Sequence, residues 1–206
     1  YYFANIQLNV YFCNIMEQRI AENSWKAWLL ATRPKTLISA IIPVCIAAVW
    51  AFVHGGNDIN ILPLVLCFAF AIVMQIDANF INDYFDFKRG NDNETRLGPK
   101  RACAQGWIKP KSMFRAIILT TIIASAIGFP LIFFGGYQLI LLGSACVAFC
   151  FLYTTHLSYW GLGDVLVLLF FGLVPVLGTY YLVALPGSTI FNLDVVISAI
   201  NCGMVI

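Results

Sequence analysis

The residues best able to do chemistry lie together. Positions 75–110 read QIDANFINDYFDFKRGNDNETRLGPKRACAQGWIKP, with amides and carboxylates first and cations after them. On a helix, Asn79, Asn82, Asp83 and Asp86 are related by steps of three and four, which places them on one face. Asp92 follows a Lys-Arg-Gly break and could fold back toward them. Neighbouring carboxylates repel one another unless a cation sits among them. Hard oxygen ligands at this density suit Mg²⁺, which takes one or two carboxylates and completes its shell with substrate phosphate oxygens. Lys88, Arg89, Arg96, Lys100 and Arg101 follow closely and could hold the remaining phosphate charge, Arg through two parallel hydrogen bonds. Carboxylates for a metal and cations for phosphates is the logic of diphosphate handling. The competing reading is a solvated loop whose acids and bases neutralise one another. Asn and Asp on a shared face at membrane depth weigh against it, because polar residues there are costly and tend to be functional. Asp77 lies one turn deeper and off the main face; snorkelling, pairing with a basic residue and membership of the site all stay open.

The elements that position this segment are apolar. Of the 206 residues 61% are hydrophobic and 11% charged, against roughly 25% charged in a soluble domain. Such a chain cannot cover a water-facing surface, so the bilayer is its solvent. Apolar stretches run over 37–54, 61–82, 113–134, 137–156 and 162–185, with an incomplete one from 192. Each complete stretch is close to the ~20 residues that cross the hydrocarbon as a helix. All twelve basic residues fall in two blocks, Arg19 to Lys35 before the first span and Lys88 to Arg115 between the second and third. With alternating spans both blocks share one side, which the positive-inside rule makes cytoplasmic, together with the N-terminus. The expected fold class is therefore all-α, a polytopic transmembrane helical bundle. Residues 1–15 are aromatic, lack basic residues and precede an amphipathic stretch opened by Met16, so they are read as a non-native extension. Residues 16–206 are then a single membrane domain, incomplete at the C-terminus because Ile206 falls inside an apolar run.

NDYFD followed by KRGND resembles the first aspartate-rich motif of the UbiA-type membrane prenyltransferases. TRPKTL before the first span, RLGPKRA and GWIKPKSM in the loop, and GLGDVLVLLFFGLVPVLGTYYL in the fifth span extend the similarity from about Trp28 to Leu182. Within the family, these segments look most like the branch that prenylates 1,4-dihydroxy-2-naphthoate. The resemblance implies a nine-helix fold, of which about five and a half helices would be present, and a second aspartate-rich motif that this chain does not reach. It implies Asp83, Asp86 and Asp92 as Mg²⁺ ligands, with Asp83, Asp86 and Asn82 at the reacting centre. Asn79, Lys88, Arg96, Lys100, Arg101 and Tyr153 would contact the diphosphate, and Asp164 would stand at the entrance of the second cytoplasmic loop. The implied reaction moves a polyprenyl group from polyprenyl diphosphate to 1,4-dihydroxy-2-naphthoate with loss of CO₂ and diphosphate, forming demethylmenaquinone. The implied location is the bacterial inner membrane, amid lipid and with no nucleic acid as partner. One departure is the stretch THLSYW between YT and GLGD, which is shorter than the family's.

Two rival functions remain at this stage. A sister enzyme would use 4-hydroxybenzoate or a tetrapyrrole as acceptor. A cation-coupled transporter would gather Asp77, Asp83 and Asp86 into one ion site, and would be expected to show inverted repeats, which the sequence lacks. The seven cysteines, an odd number without a CxxC pair, read as buried thiols rather than disulfides or a zinc site. His54 and His156 read as interfacial anchors, and the five tryptophans as an aromatic belt.

Overall fold

The computed structural model describes residues 20–55, 58–90, 100–155, 161, 163–184 and 192–205. The described residues are helical, with no strand among them. A short helix α1 (Trp25–Ala31) starts at Ser24, whose hydroxyl accepts the Ala27 N–H at 3.3 Å. It buries Ala27 and Ala31 and leaves Trp25 77% exposed. Helix α2 (Pro34–His54) opens on a proline, which costs no hydrogen bond in a first turn. Helix α3 (Ile61–Arg89) has 29 residues. At 1.5 Å per residue that is about 43 Å, longer than the ~30 Å of hydrocarbon. Its last turns therefore project beyond the apolar layer, carrying the carboxylates. Gly90 ends it in the left-handed conformation (φ 71°), the break that the Lys-Arg-Gly stretch suggests.

Helix α4 (Pro110–Gly128) continues through a 3₁₀ turn at Phe129–Leu131 into α5 (Ile132–Gly135), and Gly136 turns the chain at φ 83°. Helix α6 (Gln138–Thr155) returns to the basic end. The next span is composite: α7 (Gly163–Val167), a π-helical segment (Leu168–Leu173) and α8 (Val174–Val183). Helix α9 (Leu193–Val205) packs along the π-helical segment and α2. Pro34–His54, Ile61–Arg89, Pro110–Gly135 and Gly163–Val183 are long and apolar enough to cross a membrane, while α6 and α9 are shorter apolar helices. The chain is thus an integral membrane protein built as a helical bundle.

Contacts between helix ends confirm the alternation of the spans. At one end the α3 side chain Arg89 donates to the Thr154 carbonyl of α6. At the other, the Asn60 N–H bonds the Val183 carbonyl at 3.0 Å. There His54, expected as a lone anchor, is hydrogen-bonded to Tyr180 at 2.9 Å and Asn192 at 3.2 Å, and Trp50 donates to Ser198 at 2.9 Å. That network ties α2 to α8 and to the start of α9, because polar groups at membrane depth must find partners inside the protein.

The tightest helix contact is made by two glycines. A Cβ on Gly172 would stand 2.4 Å from the Ala199 carbonyl oxygen, and one on Gly203 would stand 2.8 Å from the Leu168 Cα. Backbone cannot move aside as a side-chain tip can. Gly172→Val is therefore expected to lift α9 off the π-helical segment and to destabilise the bundle by about 1–3 kcal/mol or more. A lower thermal midpoint in detergent would register it, and an unchanged midpoint would contradict the contact.

Candidate functional site

The cytoplasm-facing expectation concerns the end of the bundle where α3 leaves the apolar layer. Residues 100–109 do not hang free there. They coil back on themselves, with the N–H groups of Gln105, Gly106 and Trp107 bonded to the carbonyls of Arg101, Cys103 and Ala102 at 3.0, 3.1 and 2.9 Å. Ala102, Cys103, Trp107 and Ile108 are buried against Ala27, Phe80 and Met113 in one apolar cluster. Trp107 is thus a core residue and not part of an interfacial belt: the loop folds inward and its indole fills the gap between α1, α3 and α4.

Asp83 holds this coil in place. Its carboxylate accepts the backbone N–H groups of Ala102 at 2.7 Å and Cys103 at 2.9 Å, and the residue is 1% exposed. The preceding residue, Arg101, is 6% exposed and is thereby delivered to Asp86, with which it forms an ion pair three residues further along α3. Asp86 itself remains 20% exposed.

The four residues expected on one face are consequently divided. At 100° per residue, steps of three and four still spread side chains over a broad arc, and different neighbours meet its two edges. Asn79, 3% exposed, donates its amide to the Thr32 carbonyl at 2.9 Å and the Thr36 hydroxyl at 3.0 Å, fixing the joint between α1 and α2. Asn82 lines the main cavity and accepts a hydrogen bond from the Thr154 hydroxyl of α6. Asp83 faces the coiled loop and Asp86 its arginine. The expected diphosphate contact of Asn79 and the expected open ligand position of Asp83 are therefore not what this geometry offers; each side chain is buried and bonded to backbone.

Lys88 lies over the Tyr84 ring at 5.7 Å, and Lys100 is exposed at the start of the described loop. Asp164 is exposed in the first turn of α7. Asp92, Arg96 and His156 lie outside the described residues. Among those described, no three His, Cys, Asp or Glu side chains converge as a metal site. Asp86 beside Asn82 still fits Mg²⁺, a cation that needs only one or two carboxylates and draws further oxygens from phosphate and water.

Asp77 settles into a role the sequence left open. It is fully buried and accepts hydrogen bonds from the hydroxyls of Thr120 and of Thr121 (2.8 Å), clamping α3 to α4 on the side away from Asn82. Cys67, Cys103, Cys146 and Cys202 are buried thiols outside any disulfide, as expected, while Cys45 is exposed.

From Asn82 a cavity of about 900 Å³ runs into the apolar layer. Its polar end carries Thr36, Gln75, Asn82, Tyr153 and Thr154; further along, Pro43, Val44, Leu131, Phe170 and Leu182 line it. Tyr153 is thus one of the polar side chains that line the cavity. Gln75 escaped the sequence reading. It stands seven residues before Asn82, two helical turns deeper on the same face, and no hydrogen-bond partner is found for it among the described residues. An amide directly after the apolar run 61–74, inside the span, was the available signal.

Comparison with known sequences gives the same direction. A sequence model of the UbiA prenyltransferase family matches residues 40–204. The chain is 35% identical over 179 residues to a 1,4-dihydroxy-2-naphthoate octaprenyltransferase of Escherichia coli, covering 82% of this chain and 56% of that protein. It is 33% identical over 175 residues to the Haemophilus influenzae protein of the same name, covering 80% of this chain and 56% of the relative. The human UbiA prenyltransferase domain-containing protein 1 is 27% identical over 184 residues, at 80% and 50% coverage. The chain spans a little over half the length of the bacterial relatives it matches. With the match running through the helices that enclose the cavity and carry Asn82, Asp83 and Asp86, the chain belongs to the UbiA prenyltransferase family.

Proposed function

We propose that this chain provides the donor-binding part of an enzyme that moves a polyprenyl group from polyprenyl diphosphate to 1,4-dihydroxy-2-naphthoate. The observation that carries the reading is the shape of the cavity. One end offers Asn82, Tyr153 and Thr154, with Asp86 of the Asp86–Arg101 pair one helical turn beyond Asn82 along α3, and the rest is an apolar channel inside the bilayer layer. A molecule with a doubly charged head and a long hydrocarbon tail matches both ends. The relatives named as 1,4-dihydroxy-2-naphthoate octaprenyltransferases support the acceptor and a long isoprenoid donor.

In this mechanism Asp86 would hold Mg²⁺, which would supply positive charge to the leaving diphosphate. Arg101 and Arg96 would neutralise the remaining phosphate charge through paired N–H donors, and Lys100, from the same loop, as a point charge. Thr154, by donating to the Asn82 carbonyl oxygen, would leave the Asn82 amide N–H groups to donate to the diphosphate. The allylic C–O bond breaks with its electron pair leaving on diphosphate. The apolar walls keep water from the allylic cation that results. The electron-rich ring then forms the new C–C bond and its carboxylate leaves as CO₂, giving the quinol form of demethylmenaquinone. Gln75, deeper on the same face, is placed to hydrogen-bond the acceptor's polar groups. The active side is cytoplasmic on the positive-inside argument.

A transporter reading has lost its ion site. Asp77 bonds threonines of α4, Asp83 bonds loop amides and Asp86 bonds arginine, so each carboxylate has partners of its own.

The test uses membranes bearing the whole protein, radiolabelled polyprenyl diphosphate and 1,4-dihydroxy-2-naphthoate, with and without Mg²⁺. Lipid-soluble product that requires Mg²⁺ is expected. Product only with 4-hydroxybenzoate would change the acceptor, and no product with any aromatic acceptor would defeat the proposal.

A further inference from the structure

A second pocket, of about 240 Å³, opens at the basic end of the bundle and shares no lining residue with the main cavity. Tyr84 of α3 lines it with Pro110, Lys111, Phe114 and Arg115 from the first turns of α4. The rings of Tyr84 and Phe114 lie 5.5 Å apart, centroid to centroid. Lys88 Nζ stands 5.7 Å from the Tyr84 ring centroid, so two cations line the pocket and a third, outside its lining, lies over its Tyr84 wall.

These cations are not spent on the protein. Among the described residues the ion pairs use Arg101 and Lys109, and neither Lys88, Lys111 nor Arg115 is in a hydrogen bond or ion pair. Lys111 and Arg115 are four apart on α4, a spacing at which like charges repel. The N-cap residue Lys109 makes no side-chain cap, so the positive end of the α4 dipole is also uncompensated. The positive-inside rule accounts for basic residues on this side. It does not account for their convergence on an aromatic pocket.

Depth identifies the kind of anion. Along α4 beneath Arg115, Ile118, Leu119 and Ile122 are 47%, 58% and 60% exposed, a surface fit for lipid chains. The pocket therefore lies at headgroup level, directly above an apolar stripe. We propose that it is a binding site for an anionic phospholipid, with the phosphate held by Arg115, Lys111 and Lys88 and the acyl chains lying along the Ile118–Ile122 stripe. Arg115 suits the phosphate oxygens through its planar fork, while the lysines act as point charges. Basic pockets between transmembrane helices are a known way of holding phosphate headgroups. A free phosphate ion would engage the cations alone; the lipid also covers the exposed isoleucines. Lys88 and Tyr84 flank Asp86 in sequence, so an occupied pocket would brace α3 against α4 next to the candidate reacting centre.

The test is native mass spectrometry of the purified protein after exchange into micelles containing equal phosphatidylglycerol and phosphatidylcholine. One phosphatidylglycerol is expected to be retained in clear preference, and Arg115→Gln alone should lower that preference roughly fivefold. Adding Lys88→Gln and Lys111→Gln should remove it, whereas Lys26→Gln with Lys35→Gln, equal in charge change to those two added substitutions and away from the pocket, should preserve it. Equal retention of the two lipids, or a preference that survives the triple change, overturns the site. Release of the lipid by millimolar inorganic phosphate would reassign the pocket to a free anion and overturn it equally. Because binding is read directly, the result is independent of whether prenyl transfer occurs.

Discussion

Asp83→Ala is expected to release the coiled loop and, with it, the arginine that faces Asp86. The carboxylate is 1% exposed and accepts two backbone N–H groups, from Ala102 at 2.7 Å and Cys103 at 2.9 Å. Alanine would leave both amides buried without an acceptor, at about 1–3 kcal/mol each. The loop is the part that gives way, because its apolar contacts through Ala102, Trp107 and Ile108 depend on that coil. Hydrogen exchange at Ala102 and Cys103 should accelerate strongly, the thermal midpoint in detergent should fall, and prenyl transfer should be lost. Asp83→Asn keeps one acceptor oxygen but turns an N–H₂ group toward the second amide, so an intermediate effect is expected. A metal-ligand role would give another pattern. The variants would then keep slow exchange at Ala102 and Cys103 while needing far more Mg²⁺, and that outcome would return Asp83 to the reacting centre.

Asp86→Asn should instead leave the loop closed and remove the chemistry. Asp86 is the more open carboxylate, 20% exposed against 1% for Asp83. The substitution preserves shape but not charge, so transfer is expected to fall on the order of 10²- to 10³-fold, as when one preorganised electrostatic group is removed. Stability should fall by less than the ~3–5 kcal/mol typical of a broken, fully buried pair, because water still reaches Asp86. Arg101→Lys keeps the charge and loses the planar fork. It should raise KM for the polyprenyl diphosphate more than it lowers kcat, since a point charge still attracts phosphate but cannot hold two oxygens at once. Unchanged kinetics in both variants would remove this pair from the site.

Much of this protein was legible before any coordinates. The spans expected over 37–54, 61–82 and 113–134 correspond to Pro34–His54, Ile61–Arg89 and Pro110–Gly135. Apolar length is a direct consequence of bilayer thickness, and a chain with so few charges has no other way to satisfy its backbone. The break after Arg89 was legible for a similar reason, as glycine alone ends a helix cheaply in the left-handed conformation. The π-helical segment was not, because LLFFGL has the composition of any buried span; only close contact of Gly172 with α9 distinguishes it.

The candidate site divides along the same line. Sequence by itself determined the membrane bundle, the end of α3 where polar chemistry gathers, and the pairing of carboxylates with a basic loop. It could not decide which carboxylate serves which purpose, because Asn79, Asn82, Asp83 and Asp86 are equivalent to any argument from helical spacing alone. Tertiary structure decided it: a loop twenty residues away supplies the amides that take up Asp83, Thr32 and Thr36 take up Asn79, and Thr154 reaches Asn82 from α6. The role of a polar side chain is set by its partners, and partners distant in the chain meet it only when the helices pack.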